Sequence, residues 1–276
     1  SDMASIYKRF HPNLIMMIRS LARKVKNYLR ANQSTSNQSH SVHDLLFQVD
    51  PAFQALYNQG IEKTGTPPSG DAVVNKRQAR FYNLVNIYSL AATLDGNIAE
   101  IGCWKGLSSY MLNKTVSQNN ERYTGKDFWI IDSFEGLSEF EESDRVLEDF
   151  VPVGIAPGGG NVAGNFSATL DHVKQTLNDF PDINYLKGWV PNVLDQIPRD
   201  LRWKFVHIDL DLYAPIKGAF EFFCEKMSPG GIIVFDDYGS LYWPGARKAV
   251  AEVSEDIGGR LVLLSTGQAF WQATFQ

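Results

Sequence analysis

Residues 98–108 read Ile98-Ala-Glu-Ile-Gly-Cys-Trp-Lys-Gly-Leu-Ser108: a short apolar run, a glycine turn, then the opening of a helical pattern from about Leu107. A strand that turns sharply into a helix is the repeating unit of an α/β sheet, and the rest of the chain repeats it. Strand-like runs are expected at 128–132, 184–187, 205–210 and 232–236. Helical patterns follow at 170–178, 216–226 and 246–255. The last two runs, 260–265 and 269–275, flank Thr266-Gly267-Gln268 and read as a hairpin. Such alternation predicts a mostly parallel sheet covered by helices, with an antiparallel strand added at the end. No internal repeat is visible.

Ligands of open α/β sheets bind beyond the carboxyl ends of the strands, so the residues after each strand carry the functional reading. After the first strand, Gly102 and Gly106 permit a tight turn and close approach of a ligand. The spacing is not the GxGxxG dinucleotide fingerprint, because Trp104 and Gly106 fall at the wrong positions. It is not a P-loop either, since no Gly-Lys-Ser/Thr follows. Glu100, an acid just before the turn, suits a ligand that carries an ammonium group. Asp132 ends the second strand, where an acid accepts hydrogen bonds from ribose hydroxyls. The fourth strand leads into Asp209 and Asp211, and the fifth ends at Asp236 and Asp237. Four carboxylates on one sheet edge repel one another unless they are protonated or hold a cation. Their oxygens suit a hard ion such as Mg²⁺. His207 is expected to fill a core position rather than to bind metal.

Composition bounds the rest. The chain has 276 residues, which fits one α/β domain with an N-terminal extension. Hydrophobic residues make up 44%, enough for a sizeable core and against wholesale disorder. Lys plus Arg is 26 against 31 Asp plus Glu, a net charge of −5, which argues against nucleic acid as a partner. Two cysteines, Cys103 and Cys224, form neither a disulfide framework nor a CxxC metal pair. No run reaches the roughly 18–20 apolar residues of a membrane span, and no stable membrane insertion is expected. No signal peptide is visible, and the expectation is a cytoplasmic protein.

Residues 1–30 carry seven basic residues against one acid, with Phe10, Leu14, Met17, Leu21, Val25 and Tyr28 along one helical face. Residues 31–41 read as a flexible linker. The basic helix has three readings: packing on its own domain or on a partner subunit in a homo-oligomer, a lid over a ligand, or contact with anionic membrane. Residues 42–60 and 72–94 look helical, and 64–71 is a Pro/Gly loop. The expected division is an N-terminal helical extension, 1–69, and a main domain, 70–276.

The motifs Glu100-Ile-Gly-Cys-Trp-Lys-Gly, Asp132-Ser-Phe-Glu-Gly-Leu, His207-Ile-Asp-Leu-Asp-Leu-Tyr and Asp236-Asp-Tyr-Gly, with Trp243-Pro-Gly-Ala-Arg-Lys-Ala-Val, resemble the macrocin O-methyltransferase family. The resemblance runs from about Gly70 to the hairpin. It implies a Rossmann-like class I methyltransferase fold with a seven-stranded sheet. It also implies two cofactors, S-adenosylmethionine and Mg²⁺ or another divalent cation, and a small-molecule acceptor with a hydroxyl, often on the sugar of a natural product. On that resemblance Glu100, Gly102 and Gly106 line the methionine part of the cofactor and Ser108 lies near its carboxylate. Asp132 holds the ribose, Ser133 lies beside the nucleoside, and Gly188 and Trp189 flank the adenine. Asp209, Asp236 and Asp237 match the metal positions, Asp209 also neighbouring the cofactor. Asp211 is the expected general base, a task Asp209 is also placed to share.

A phenol or catechol acceptor is the alternative to a sugar. The DxD formed by Asp209 and Asp211 also allows a metal-dependent glycosyltransferase. The glycine spacing disfavours an NAD-dependent oxidoreductase, and the intact acids disfavour a non-catalytic binding module. The loop 139–164 is expected to shape the acceptor pocket, with its acidic run (Glu139, Glu141, Glu142, Asp144) solvated. Tyr213, Tyr238 and Trp243 are equally placed to stack on an acceptor or to pack.

Overall fold

A computed structural model describes residues 46–67, 70–118, 120–145 and 157–274. The expectations for the basic helix at 1–30, the linker at 31–41 and part of the loop at 139–164 lie outside the described residues. The chain divides into two compact units, residues 1–56 and 57–276. The described part of the first holds α1 (Leu46–Val49) and the start of α2 (Pro51–Thr64), which Asp50 caps by accepting from the backbone N–H of Ala52 and Phe53.

The second unit is an α/β layer structure. It contains α3 (Asp71–Ala91), β1 (Asn97–Ile101), α4 (Leu107–Ser117), β2 (Phe128–Asp132), α5 (Leu170–Thr176) and β3 (Asn184–Lys187). Then come β4 (Trp203–Ile208), α6 (Tyr213–Cys224), β5 (Met227–Phe235), α7 (Pro244–Asp256), β6 (Arg260–Leu263) and β7 (Ala269–Gln272). Among the described residues these strands form one seven-stranded sheet in the order β3-β2-β1-β4-β5-β7-β6. The first five are parallel, and β7 runs antiparallel to both β5 and β6, as the hairpin reading expected.

Alternation along the strands sorts the two faces. Ala99 and Ile101, Val206 and Ile208, and Ile233 and Phe235 join one core with Phe220 and Phe223 of α6 and Val250 of α7. Phe220 is fully buried, its ring 4.8 Å from Phe235 and 5.7 Å from Trp271. Each such ring contributes about 2–3 kcal/mol by leaving water. On the opposite face Tyr88 of α3 meets Phe205 edge-on at 5.4 Å. The buried stripe of α3 is Leu84, Ile87, Tyr88 and Ala91, a helical period. One turn earlier the same stripe carries Arg77, Arg80 and Phe81, which therefore overhang the carboxyl edge of the sheet.

Several boundaries differ from expectation. β4 ends at Ile208 rather than at residue 210, because Asp211 takes a left-handed backbone (φ 62°) and Leu212 N–H turns back to Leu210 O. The turn releases α6 at Tyr213, three residues early. β5 begins at Met227 rather than residue 232: its Ser-Pro-Gly-Gly reads as loop, yet Met227 pairs with Trp203 across an irregularity in register.

Candidate active site at the carboxyl edge of the sheet

Neighbouring strands in the order β2-β1-β4-β5 reverse direction of progression between β1 and β4, and the crevice this opens is where an α/β sheet receives ligands. A cavity of about 280 Å³ lies there, near the lower end of small-molecule sites. Its wall takes residues from the end of every central strand: Gly102, Asp132, Ser133, Asp209, Asp211, Asp236 and Asp237. Gly188, Trp189, Ser108 and Trp243 also line it, as do Arg77, Arg80 and Phe81 of α3.

Local structure fixes these side chains. Gly102 (φ 82°) crosses so close to β4 that a Cβ would stand 2.0 Å from the carbonyl oxygen of Asp209. Only glycine admits that approach. Asp209 N–H donates to Ile101 O and Asp236 N–H to Ile208 O, so both acids leave the sheet at matched depth. Asp132 is oriented by two donors: Cys103 N–H to Oδ2 at 2.7 Å and Phe134 N–H to Oδ1 at 2.6 Å. Ser133 Oγ accepts from Glu135 N–H at 3.0 Å.

The acids form one electrostatic unit. Asp236 pairs with the guanidinium of Arg80, which also lies 3.4 Å from Asp237 Oδ1. Gln268 Nε2 donates to Asp236 Oδ1 at 2.7 Å. Burial, then the charge of Asp237, pushes the Asp209 carboxyl up to about 7. Burial with Asp237 and Asp209 pushes Asp211 well above the usual carboxylate range. Burial opposes the charge on Arg80, but Asp237, Asp209 and Asp211 outweigh it and hold the guanidinium more firmly protonated. Among the described residues, two groups of side chains bring donor atoms within 4.8 Å of one another: His207, Asp209 and Asp236, and Asp209, Asp211 and Asp237. Either spacing fits a single divalent cation, and carboxylate oxygens are the donors such ions prefer. A second cavity of about 270 Å³ shares Arg80, Asp236 and Asp237 as wall and adds Lys76, Ser240, Tyr242 and Thr266.

Two of the expected site residues stand apart from the cavity. Glu100 is fully buried one layer behind it, where Oε1 accepts from Ser108 Oγ at 2.6 Å and meets His207 Nδ1 at 3.0 Å. It therefore positions Ser108 instead of lining the cavity. Gly106 caps α4 and faces Val173 and Thr176 of α5. The acidic run is also divided. Glu139, Glu141 and Glu142 are exposed, but Asp144 is buried and accepts from Tyr213 N–H at 2.7 Å and Glu141 N–H at 3.0 Å. Tyr213 hydroxyl donates to Glu252 at 2.6 Å and Tyr238 lies under Arg247, so of the three aromatics only Trp243 reaches the wall.

Arg77, Arg80, Phe81 and Gln268 were not legible as site residues. The one signal for the first three is that two arginines interrupt the apolar stripe of α3.

The sequence profile of the Macrocin-O-methyltransferase (TylF) family matches residues 19–271. The chain is 26% identical over 153 residues to the 8-demethyl-8-(2,3-dimethoxy-alpha-L-rhamnosyl)-tetracenomycin-C 4'-O-methyltransferase of Streptomyces olivaceus, covering 54% of this chain and 55% of that protein. It is 23% identical over 189 residues to the demethyldecarbamoylnovobiocin O-methyltransferase of Streptomyces niveus, covering 65% and 66%. The matched region thus spans between about half and two thirds of those relatives. Among solved structures it is similar in fold to CalS11, calicheamicin methyltransferase, with a TM-score of 0.59 at 19% identity over 86% of this chain and 98% of that one. The O-methyltransferase NovP gives a TM-score of 0.56 at 21% identity, over 71% and 79%. The fold is that of class I methyltransferases. With a profile match over most of its length, the chain belongs to the macrocin-O-methyltransferase family.

Proposed function

We propose that this protein transfers the methyl group of S-adenosylmethionine to a hydroxyl of a glycosylated natural product, a sugar hydroxyl first of all, with the help of a divalent cation. The observation that carries this reading is the opening of Asp132 and the four acids after β4 and β5 onto one cavity. Asp132, held by two backbone donors, retains lone pairs for the vicinal ribose hydroxyls. Ser108 lines the same cavity and donates its hydroxyl proton to Glu100, so its lone pairs remain to accept from the ammonium group of the methionine part. Trp104, Phe166, Trp189 and Trp243 supply apolar wall that excludes water.

Bound S-adenosylmethionine would supply a methyl already activated on its sulfonium, and a cation held by Asp209, Asp236 and Asp237 would lower the pKa of the acceptor hydroxyl. The residues do the remainder. The wall holds the hydroxyl oxygen in line with the sulfur–methyl bond, and such positioning supplies up to about 7–11 kcal/mol. As the new carbon–oxygen bond forms and the carbon–sulfur bond breaks, the hydroxyl proton passes to Asp211. Burial raises its pKa, the direction that strengthens a carboxylate as a proton acceptor, and general-base help of this kind is worth roughly 10²–10⁴-fold. Arg80 offsets the negative charge of the cluster. The aromatic wall favours a second acceptor class, phenols or catechols, whose more acidic hydroxyl needs less help from the cation.

The test is methyl transfer from ¹³C-methyl-labelled S-adenosylmethionine across glycosides and catechols, with Asp236→Asn alongside. The expected result is transfer to a glycoside that Asp236→Asn lowers far more than it lowers cofactor affinity. Equal turnover in the variant contradicts the role given to the cation.

A further inference from the structure

The hairpin β6–β7 joins the sheet beside β5, and at the carboxyl end of β5 the ladder pairs Phe235 with Ala269. One step further out, the register sets Asp236 opposite Gln268. The turn before Gln268 touches the loop after β5 directly. Gly239 N–H donates to Gly267 O at 2.6 Å, and a Cβ on Gly239 would stand 2.9 Å from Gly267 Cα. Gln268 is 1% exposed, so its amide must find its partners within the protein. Oε1 accepts from Thr266 Oγ1 at 2.9 Å and from Asn83 Nδ2 at 3.4 Å. Nε2 donates to Asp236 Oδ1 at 2.7 Å and to the carbonyl oxygen of Arg80 at 3.3 Å. A carboxylate and a backbone carbonyl only accept, so the amide has a single orientation with every hydrogen-bonding position used. Asn83 Nδ2 also donates to Thr266 Oγ1 at 3.1 Å, which leaves the Thr266 hydroxyl proton for Oε1.

Asp236 therefore has two unlike partners. Oδ1 is bonded to a neutral donor, and Oδ2 faces the guanidinium of Arg80. An amide fixes the rotation of a carboxylate without cancelling its charge, so Oδ2 keeps its attraction for a positive partner. Gln268 itself lines neither cavity, so it reaches the site only through Asp236. We propose that Gln268 is a positioning residue for the cation site: it holds Asp236 by Oδ1 and presents Oδ2 to the ion, and Asn83 of α3 and Thr266 of the hairpin turn set its amide. The inference rests on the cation-dependent reading above and gives that site a support built from the hairpin and from α3. Outer partners that orient a ligating side chain are worth about 10- to 100-fold in metal affinity.

The test uses the full chain stripped with chelator, with Mg²⁺ and S-adenosylhomocysteine titrated separately in a calorimeter. Gln268→Met keeps the length of the side chain and removes the donor. The expected result is a loss of Mg²⁺ affinity of about 10- to 100-fold with S-adenosylhomocysteine affinity unchanged, since Asp132 and the cofactor end are untouched. Thr266→Val releases one of the two bonds on Oε1 and should weaken Mg²⁺ in the same direction by less; it carries the test where Gln268→Met fails to fold. A role confined to structure would lower both affinities together as folded protein is lost, and that result overturns the inference. Mg²⁺ affinity within about twofold of the unaltered chain in folded Gln268→Met, or in Thr266→Val where it stands alone, overturns it too and leaves the cation site itself intact. Failure of the unaltered chain to bind Mg²⁺ or any other divalent ion removes both the inference and the cation-dependent reading.

Discussion

Replacing Gly102 by alanine tests the narrowest point of the site. The added Cβ would stand 2.0 Å from the carbonyl oxygen of Asp209, 2.9 Å from its carbonyl carbon and 3.1 Å from Leu210 Cδ2. Neither chain retreats freely, since Gly102 N–H is bonded to Ile131 O and Asp209 N–H to Ile101 O. The left-handed backbone at φ 82° costs an alanine about 1–2 kcal/mol. Relieving the overlap by moving packed backbone costs about 1–3 kcal/mol more. The stiffer unfolded chain returns about 0.4–1 kcal/mol. The net expectation is a loss of about 2–4 kcal/mol. Because the segment that must move carries Asp209, affinity for divalent cation should fall together with stability. Urea unfolding followed by tryptophan fluorescence measures the first and calorimetry the second. Gly258→Ala is the control, since its Cβ meets nothing within 4 Å and its stability should be nearly unchanged. A loss below about 0.5 kcal/mol at Gly102, with cation affinity intact, would refute the close approach of β1 and β4 on which the site is built.

Three further outcomes are expected. Phe220→Ala, which empties a fully buried position between Phe235 and Trp271, should cost about 3–5 kcal/mol in the same unfolding assay. Asp144→Ala removes the buried acceptor that ties Tyr213 N–H to the segment before it, and should cost about 2–4 kcal/mol; a neutral result would mean the carboxylate is solvated after all. In chelator, the contribution of Asp209 to the melting temperature should fall as the pH rises from about 4 to 7. Asp209 binds its proton more tightly folded (about 7) than unfolded (3.8), so its contribution is full below the unfolded value and lost as pH rises through the folded one. Asp209→Asn should remove that contribution from the pH slope, and a slope unchanged by the substitution would contradict the assignment.

The sheet was legible because its strands are short apolar runs punctuated by acids and glycines. The expected edges at 128–132 and 184–187 coincide with β2 and β3. Failures fell where tertiary geometry overrides local pattern. The Asp211 turn cut β4 short, and pairing with Trp203 drew a Pro-Gly-Gly stretch into β5. At the site, acids that follow strands could be read directly, because topology alone brings strand ends together. Depth could not be read. Glu100 and Asp132 both lie at or near a strand end, yet one is sealed beneath Ser108 and the other reaches the cavity. The partnership of Glu100 with His207, 107 positions apart, depends on strand register, which no local pattern encodes. Arg80 sits 156 residues from Asp236 on a helix whose crossing over the sheet edge is a matter of packing.

The central claim is that Asp132 and its neighbours form a site for S-adenosylmethionine. The most direct measurement is calorimetric titration of S-adenosylhomocysteine into protein from which bound cofactor and metal have been removed and their removal verified. The account predicts one saturable site, with affinity reduced about 10- to 100-fold by Asp132→Ala, the loss of charged hydrogen bonds worth about 1.5–3 kcal/mol. Absence of binding, or binding that Asp132→Ala leaves untouched, would contradict it.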